Sequence, residues 1–110
     1  MDLNDRAEIF RLHADFCKIL SDANRLLIIT ELAGRETSVN ELTHKLGLQQ
    51  SNVSKHLSLM REHGLVKIRK EGSTVFYSLA DQRIYEAIQL LRQAQSDLLE
   101  KRSALSVRKT

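Results

Sequence analysis

The chain contains no proline, no tryptophan, one cysteine and only four glycines in its 110 residues. Without proline, no position is forced to kink or end a helix by lacking a backbone donor. The lone Cys17 excludes an intrachain disulfide, and the default compartment is the reducing cytoplasm. No apolar run reaches the roughly 18 residues that a membrane-spanning helix needs. The opening MDLNDRAEIF lacks a basic stretch followed by an apolar one, so no signal peptide is expected. A Gly-rich phosphate loop and clustered carboxylates are also missing, and no nucleophile–base pair stands at a plausible spacing beyond His13 and Cys17. An enzyme is not expected. Internal repeats, low-complexity segments and linkers are absent as well.

What remains is globular in composition, 42% hydrophobic and 28% charged. The net charge of +3 and pI of about 9.2 suit a polyanionic partner without demanding one. The length predicts one domain, of a size that often gains stability from a partner subunit. Gly34, Gly47, Gly64 and Gly72 all fall between periodic segments, as punctuation. The reading is a mostly helical domain over 1–102, with Ser103–Thr110 as a frayed tail.

Taken in order, Asp5–Leu20 reads as a helix, with Asn4 or Asp5 as its cap. Ile9, Leu12, Phe16 and Ile19 form a narrow apolar seam along it. Ser21 or Asp22 caps a second helix running to about Ala33. Leu26, Leu27, Ile28, Ile29 and Leu32 make that helix apolar nearly all round, so it should be central and buried. Ser38-Val39-Asn40-Glu41 is a capping box opening a third helix with Leu42 and Leu46 inward. Gly47-Leu48-Gln49 then makes a tight turn whose leucine plugs the core.

Gln50–Gly64, QSNVSKHLSLMREHG, is the most informative stretch. Val53, Leu57 and Met60 recur on one helical face, while Ser51, Ser54, Lys55 and Ser58 point the other way. A buried stripe opposite small, polar and cationic groups suits a helix inserted into a DNA major groove; an ordinary surface helix is the plainer alternative. With the preceding helix it makes a helix-turn-helix. Leu65–Lys70 and Thr74–Leu79, separated by Glu71-Gly72-Ser73, read as a β-hairpin. Arg69, Lys70, Ser73 and Thr74 sit at its tip, placed to reach phosphates or a minor groove. Asp81 caps a last helix running to about Lys101. Its Ile84, Ile88, Leu91 and Leu98 have a/d spacing. Two apolar seams in so small a chain predict a two-fold dimer built from Ile9, Leu12 and Phe16 with Ile84, Ile88 and Leu91; a monomer using one seam as core is the alternative.

By these residues the chain resembles the ArsR/SmtB family of winged-helix repressors. The likeness is carried by Ser38-Val39-Asn40-Glu41-Leu42, by Leu46-Gly47-Leu48-Gln49-Gln50-Ser51-Asn52-Val53-Ser54-Lys55-His56-Leu57, and by Arg61. It continues in Gly64-Leu65-Val66, Glu71-Gly72 and Val75-Phe76-Tyr77-Ser78-Leu79. Leu20-Ser21-Asp22-Ala23-Asn24-Arg25 resembles the family's approach to its second helix, and the match covers roughly Phe16–Leu91. The resemblance implies a mainly α winged helix-turn-helix with a small β-hairpin, in the order α1-α2-α3-α4-β-β-α5. It also implies a homodimer on a double-stranded operator.

On that basis Gln50, Ser51, Asn52, Ser54 and Lys55 are the expected contacts from the fourth helix, with Arg69, Lys70, Ser73 and Thr74 from the wing. His56 joins them on the packing or phosphate side. Arg61 pairs with Glu62 or Glu71, or reaches a phosphate. The family's metal sites look lost. Its Cys-x-Cys position is occupied by Glu41-Leu42-Thr43-His44-Lys45-Leu46, and its last-helix site by Asp81-Gln82-Arg83 with Ala94 and Asp97, too few ligands for tetrahedral zinc. No metal or cofactor is expected. His13 and Cys17, four apart on one helical face, are the candidate sensor, as half a metal site or a redox thiol; the competing reading of Cys17 is a small buried hydrophobe. The rival functions are a repressor sensing through Cys17 and a winged helix that binds protein instead of DNA. The inducer is not legible.

Overall fold

The computed structural model describes the backbone of residues 2–109 and the side chains of residue 2 and residues 4–104. The first helix, α1, spans Leu3–Ile19. Its cap is Asp2, whose carboxylate accepts from the Asp5 amide at 2.9 Å, so it starts earlier than the expected Asn4 or Asp5. Helix α2, Ala23–Gly34, is capped by Asp22, which accepts from the Arg25 amide at 3.1 Å. Ser21, the other candidate cap, donates instead to the Lys18 carbonyl. On α3, Val39–Leu46, the Ser38 hydroxyl accepts from the Glu41 amide at 3.2 Å, as the capping box requires. Gly47 closes α3 with φ of +65°, a left-handed conformation open to glycine at little cost. After Leu48 and Gln49, α4 begins, spanning Gln50–Glu62.

The hairpin is β2, Val66–Glu71, paired with β3, Thr74–Leu79. A two-residue connection joins them, and Gly72 supplies the positive φ, +61°, at its first position. The sheet has a third strand that the sequence did not reveal. Thr37–Ser38, β1, pairs antiparallel with β3 through Thr37↔Tyr77 and Ser38↔Phe76, giving the order β1-β3-β2. Two residues carry no periodicity, and only the distant β3 makes them a strand.

Residues Met1–Ala80 form one compact unit. Its core gathers Ile28, Ile29 and Leu32 from α2, Leu42 from α3, Val53, Leu57 and Met60 from α4, and Leu65, Val66 and Leu79 from the hairpin. Each such side chain contributes about 1.5–3 kcal/mol on leaving water. The expectation that α2 is buried all round needs correction: Leu27 is 47% exposed. Leu48 after the turn is half-buried.

Asp81–Thr110 form a second unit, consisting of α5, Arg83–Lys109. At 27 residues this helix is about 40 Å long. Asp81 accepts from the Arg83 amide at 2.9 Å and pairs with its guanidinium; that pairing holds its carboxyl down at about 2. The helix continues to Lys109, past the end expected near Lys101 and through most of the tail expected to fray; Thr110 lies outside the described residues. No helix among the described residues is long and apolar enough to cross a membrane.

Leu57→Ala should cost about 2–5 kcal/mol in urea unfolding, because the α4 stripe is sealed on all sides. A loss below about 1 kcal/mol would mean that α4 is not anchored by this stripe.

Candidate nucleic-acid interface

Helix α4 turns one way only. With Val53, Leu57 and Met60 buried, Gln50, Ser51, Asn52, Lys55 and Ser58 are exposed, and Ser54 is half-buried beside them. Gln49 gives no side-chain cap at its start. A polar groove of about 350 Å³ runs past this end, lined by Ser38, Val39 and Asn40 from the start of α3, Gln50 from α4, and Ser73, Thr74 and Val75 from the hairpin. Of the residues expected from the sequence, the groove brings together Gln50 of the helix with Ser73 and Thr74 of the wing. It adds Ser38 and Asn40, which the sequence reading used only as a helix start. Lys55 and Lys70 are exposed, and among the described residues neither has an ion-pair partner.

Two expected contacts sit differently. Arg69 is not a free cation. Its guanidinium donates to Glu36 through Nη2 at 2.6 Å and through Nε at 3.1 and 3.2 Å, and to Glu71 through Nη1 at 2.9 Å. It also lies 4.9 Å from the centre of the Phe76 ring. The hydrogen bonds to Glu36 and then Glu71 raise its pKa further, and Arg69 in turn lowers that of Glu36. The sequence showed a basic tip; it could not show that Glu36, just ahead of β1, folds against it.

His56 faces inward. Its side chain is 17% exposed, with Nδ1 3.3 Å from Arg25 Nη1 and Nε2 3.8 Å from Asp22. Arg25 in turn donates from Nε to the Ile19 carbonyl at 2.5 Å. His56 thus ties α4 to the α1–α2 corner. The Asp22 pKa is lowered, first by the Arg25 amide and then by the charges of His56 and Arg25. Of the two roles expected for His56, packing is the one that this geometry favours.

Lys45 pairs with Glu31 at 3.5 Å. Arg61 has no ion pair among the described residues, and Glu71, one of its expected partners, is taken by Arg69. Cys17 Sγ and His13 Nε2 are 3.5 Å apart, and both residues are exposed. This corrects the reading of Cys17 as a buried hydrophobe. Among the described residues no group of three or more His, Cys, Asp or Glu is placed to hold a metal ion.

The apolar seams are open in part. Ile9 and Leu12 on α1 are exposed and Phe16 is half-buried; on α5 Leu91 is 70% exposed and Ile84 is half-buried. Ile88, expected on the same seam, is 5% exposed. Phe10, Leu98 and Leu99, left out of the expected interface set, are exposed as well.

A helix-turn-helix with a hairpin flanking its second helix defines a winged helix-turn-helix protein. Comparison with known proteins makes this specific. The family model described as bacterial regulatory protein, arsR family, matches residues 22–67. The transcriptional activator HlyU of Vibrio cholerae is 43% identical over 74 residues, covering 67% of this chain and 68% of that protein. The crystal structure of Rv0081 from M. tuberculosis superposes with a TM-score of 0.78 at 34% identity, covering 86% of this chain and 95% of the other. The homodimeric winged helix-turn-helix domain of Mb0332 from Mycobacterium bovis gives a TM-score of 0.78 at 25% identity, covering 90% and 92%. The chain belongs to the arsR family and is a transcriptional regulator with a winged helix-turn-helix DNA-binding domain.

His56→Ala should lower unfolding stability by about 1–2 kcal/mol, since it removes the imidazole that packs between α4 and the α1–α2 corner and that Arg25 Nη1 meets. A change under about 0.3 kcal/mol in urea titrations would remove His56 from the packing of α4.

Proposed function

We propose that the protein is a cytoplasmic, dimeric, sequence-specific repressor that acts by occupying a double-stranded operator. The observation that carries this reading is the polar outer face of α4, whose first residue, Gln50, lines one groove with Ser73 and Thr74 of the wing. Gln50, Ser51, Asn52 and Ser54 are small or flexible hydrogen-bonding groups suited to base edges. Lys55 and Lys70, free of carboxylates, are suited to phosphates. Ser73 and Thr74, across the groove from Gln50, complete the backbone contacts. A protein-binding winged helix would present an apolar patch here, and this face is polar.

Dimerisation is supported by the exposed Ile9, Phe10 and Leu12 on α1 and by Leu91, Leu98 and Leu99 on α5. A lone small domain gains from covering such surface. The homodimeric Mb0332 domain points the same way. Two recognition helices related by a two-fold axis would place half-sites about 10 bp apart. HlyU is named an activator, so the direction of regulation is read from a reporter driven by the bound promoter. Selection of bound genomic fragments, repeated with zinc, peroxide or sulfide, identifies the operator and any releasing signal. Failure to retain duplex DNA in a salt-dependent way would overturn the proposal.

Lys70→Ala should weaken binding to all duplexes about equally and reduce the salt slope by about 1. If affinity and slope both stay at wild-type values, Lys70 is not a backbone contact. Ser54→Leu should abolish operator binding while sedimentation still reports the dimer. Operator binding retained by that variant would displace α4 from the groove.

A further inference from the structure

Arg69 stands at the wing, where a cation is normally counted as a phosphate ligand, yet two carboxylates enclose it. Glu36 and Glu71 together outweigh its charge, so the cluster is net anionic where DNA would approach. Its geometry has another use. In the antiparallel register Arg69 stands opposite Phe76, and Phe76 opposite Ser38. Directly opposed residues share a face of a sheet. The Arg69 side chain therefore crosses the outer face from β2, over the Phe76 ring, to Glu36, two residues ahead of Ser38. It straps the outermost strand to the segment that leads out of α2 into β1. Among the described residues β2 is an edge strand, paired with β3 alone.

We infer that Arg69 is a positioning residue, and that the Glu36–Arg69 pair, seated on Phe76, sets the orientation of the wing relative to α4. The inference rests on the DNA-binding reading for its consequence, but the strap exists in the free protein. Exposed ion pairs singly contribute little. This one is a fork on a carboxylate, shared with a second carboxylate and stacked on a ring, which lysine cannot reproduce. A wing held in its binding orientation for a smaller fraction of the time weakens apparent affinity by that fraction.

The two roles for Arg69 predict opposite signs. Glu36→Gln removes a negative charge near the DNA, so electrostatics alone would tighten binding. A strap predicts weaker binding, by about five-fold, with an unchanged salt slope. Arg69→Lys keeps the charge and loses the fork, so it should weaken binding as much as Arg69→Met. The full-length variants are titrated with a duplex carrying the selected operator at several salt concentrations. In parallel, amide hydrogen exchange of the DNA-free proteins is followed over Lys70–Thr74, where Glu36→Gln and Arg69→Lys should exchange several-fold faster at unchanged global stability. Tighter binding by Glu36→Gln overturns the inference. So does full affinity in Arg69→Lys together with a slope lowered by about 1 in Arg69→Met, which would make Arg69 a phosphate ligand. Unchanged exchange at the tip overturns it too. If the wild-type chain binds no duplex, the DNA reading fails, and the exchange measurement still decides whether the strap holds the wing.

Discussion

The burial of Val53, Leu57 and Met60 in the core fixes the rotation of α4. A helix has one rotational freedom about its axis, and a sealed apolar stripe removes it. Once the stripe is inward, Ser51, Lys55 and Ser58 have nowhere to point but outward. Close packing makes the constraint stiff, because a rolled helix would open voids on one side and crowd the other. The polar outer face of α4 is a consequence of the core.

Polar contacts then trim what packing sets. The corner between α1 and α2 grips α4 through Arg25 and His56, while Asp22 caps α2 and stands near the same imidazole. At the other side of the same unit the short β1 strand holds β3, and Arg69 reaches over Phe76 to Glu36. Each cationic side chain at these two points is committed to protein partners. Lys55 and Lys70 are left over, and it is these uncommitted charges that suit a polyanion. Counting basic residues near a DNA-binding face therefore overstates the charge on offer; the carboxylates beside them must be subtracted.

The apolar surface follows a similar division. Leu91, Leu98 and Leu99 stay open along α5, and Ile9, Phe10 and Leu12 stay open along α1. Heptad spacing marked part of this surface, and Phe10 and Leu99 extend it. A helix of 27 residues with this much open leucine gains from association, and the homodimeric likeness of Mb0332 agrees with that physical argument.

The sequence by itself determined the helices, their order, the hairpin and the polar face of α4. These follow from local rules: 3.6-residue periodicity, caps three residues from their amides, and glycine where φ is positive. It also carried enough of the family's motifs to identify the winged helix. Only the tertiary structure decided that Thr37–Ser38 is a strand, that Arg69 is bound by Glu36, that His56 packs inward, and that Cys17 is exposed. Each of these depends on a partner many residues away, or on which side of a helix finds cover. Local pattern fixes what an element is and which face is apolar, and long-range contact fixes which polar groups remain free to act.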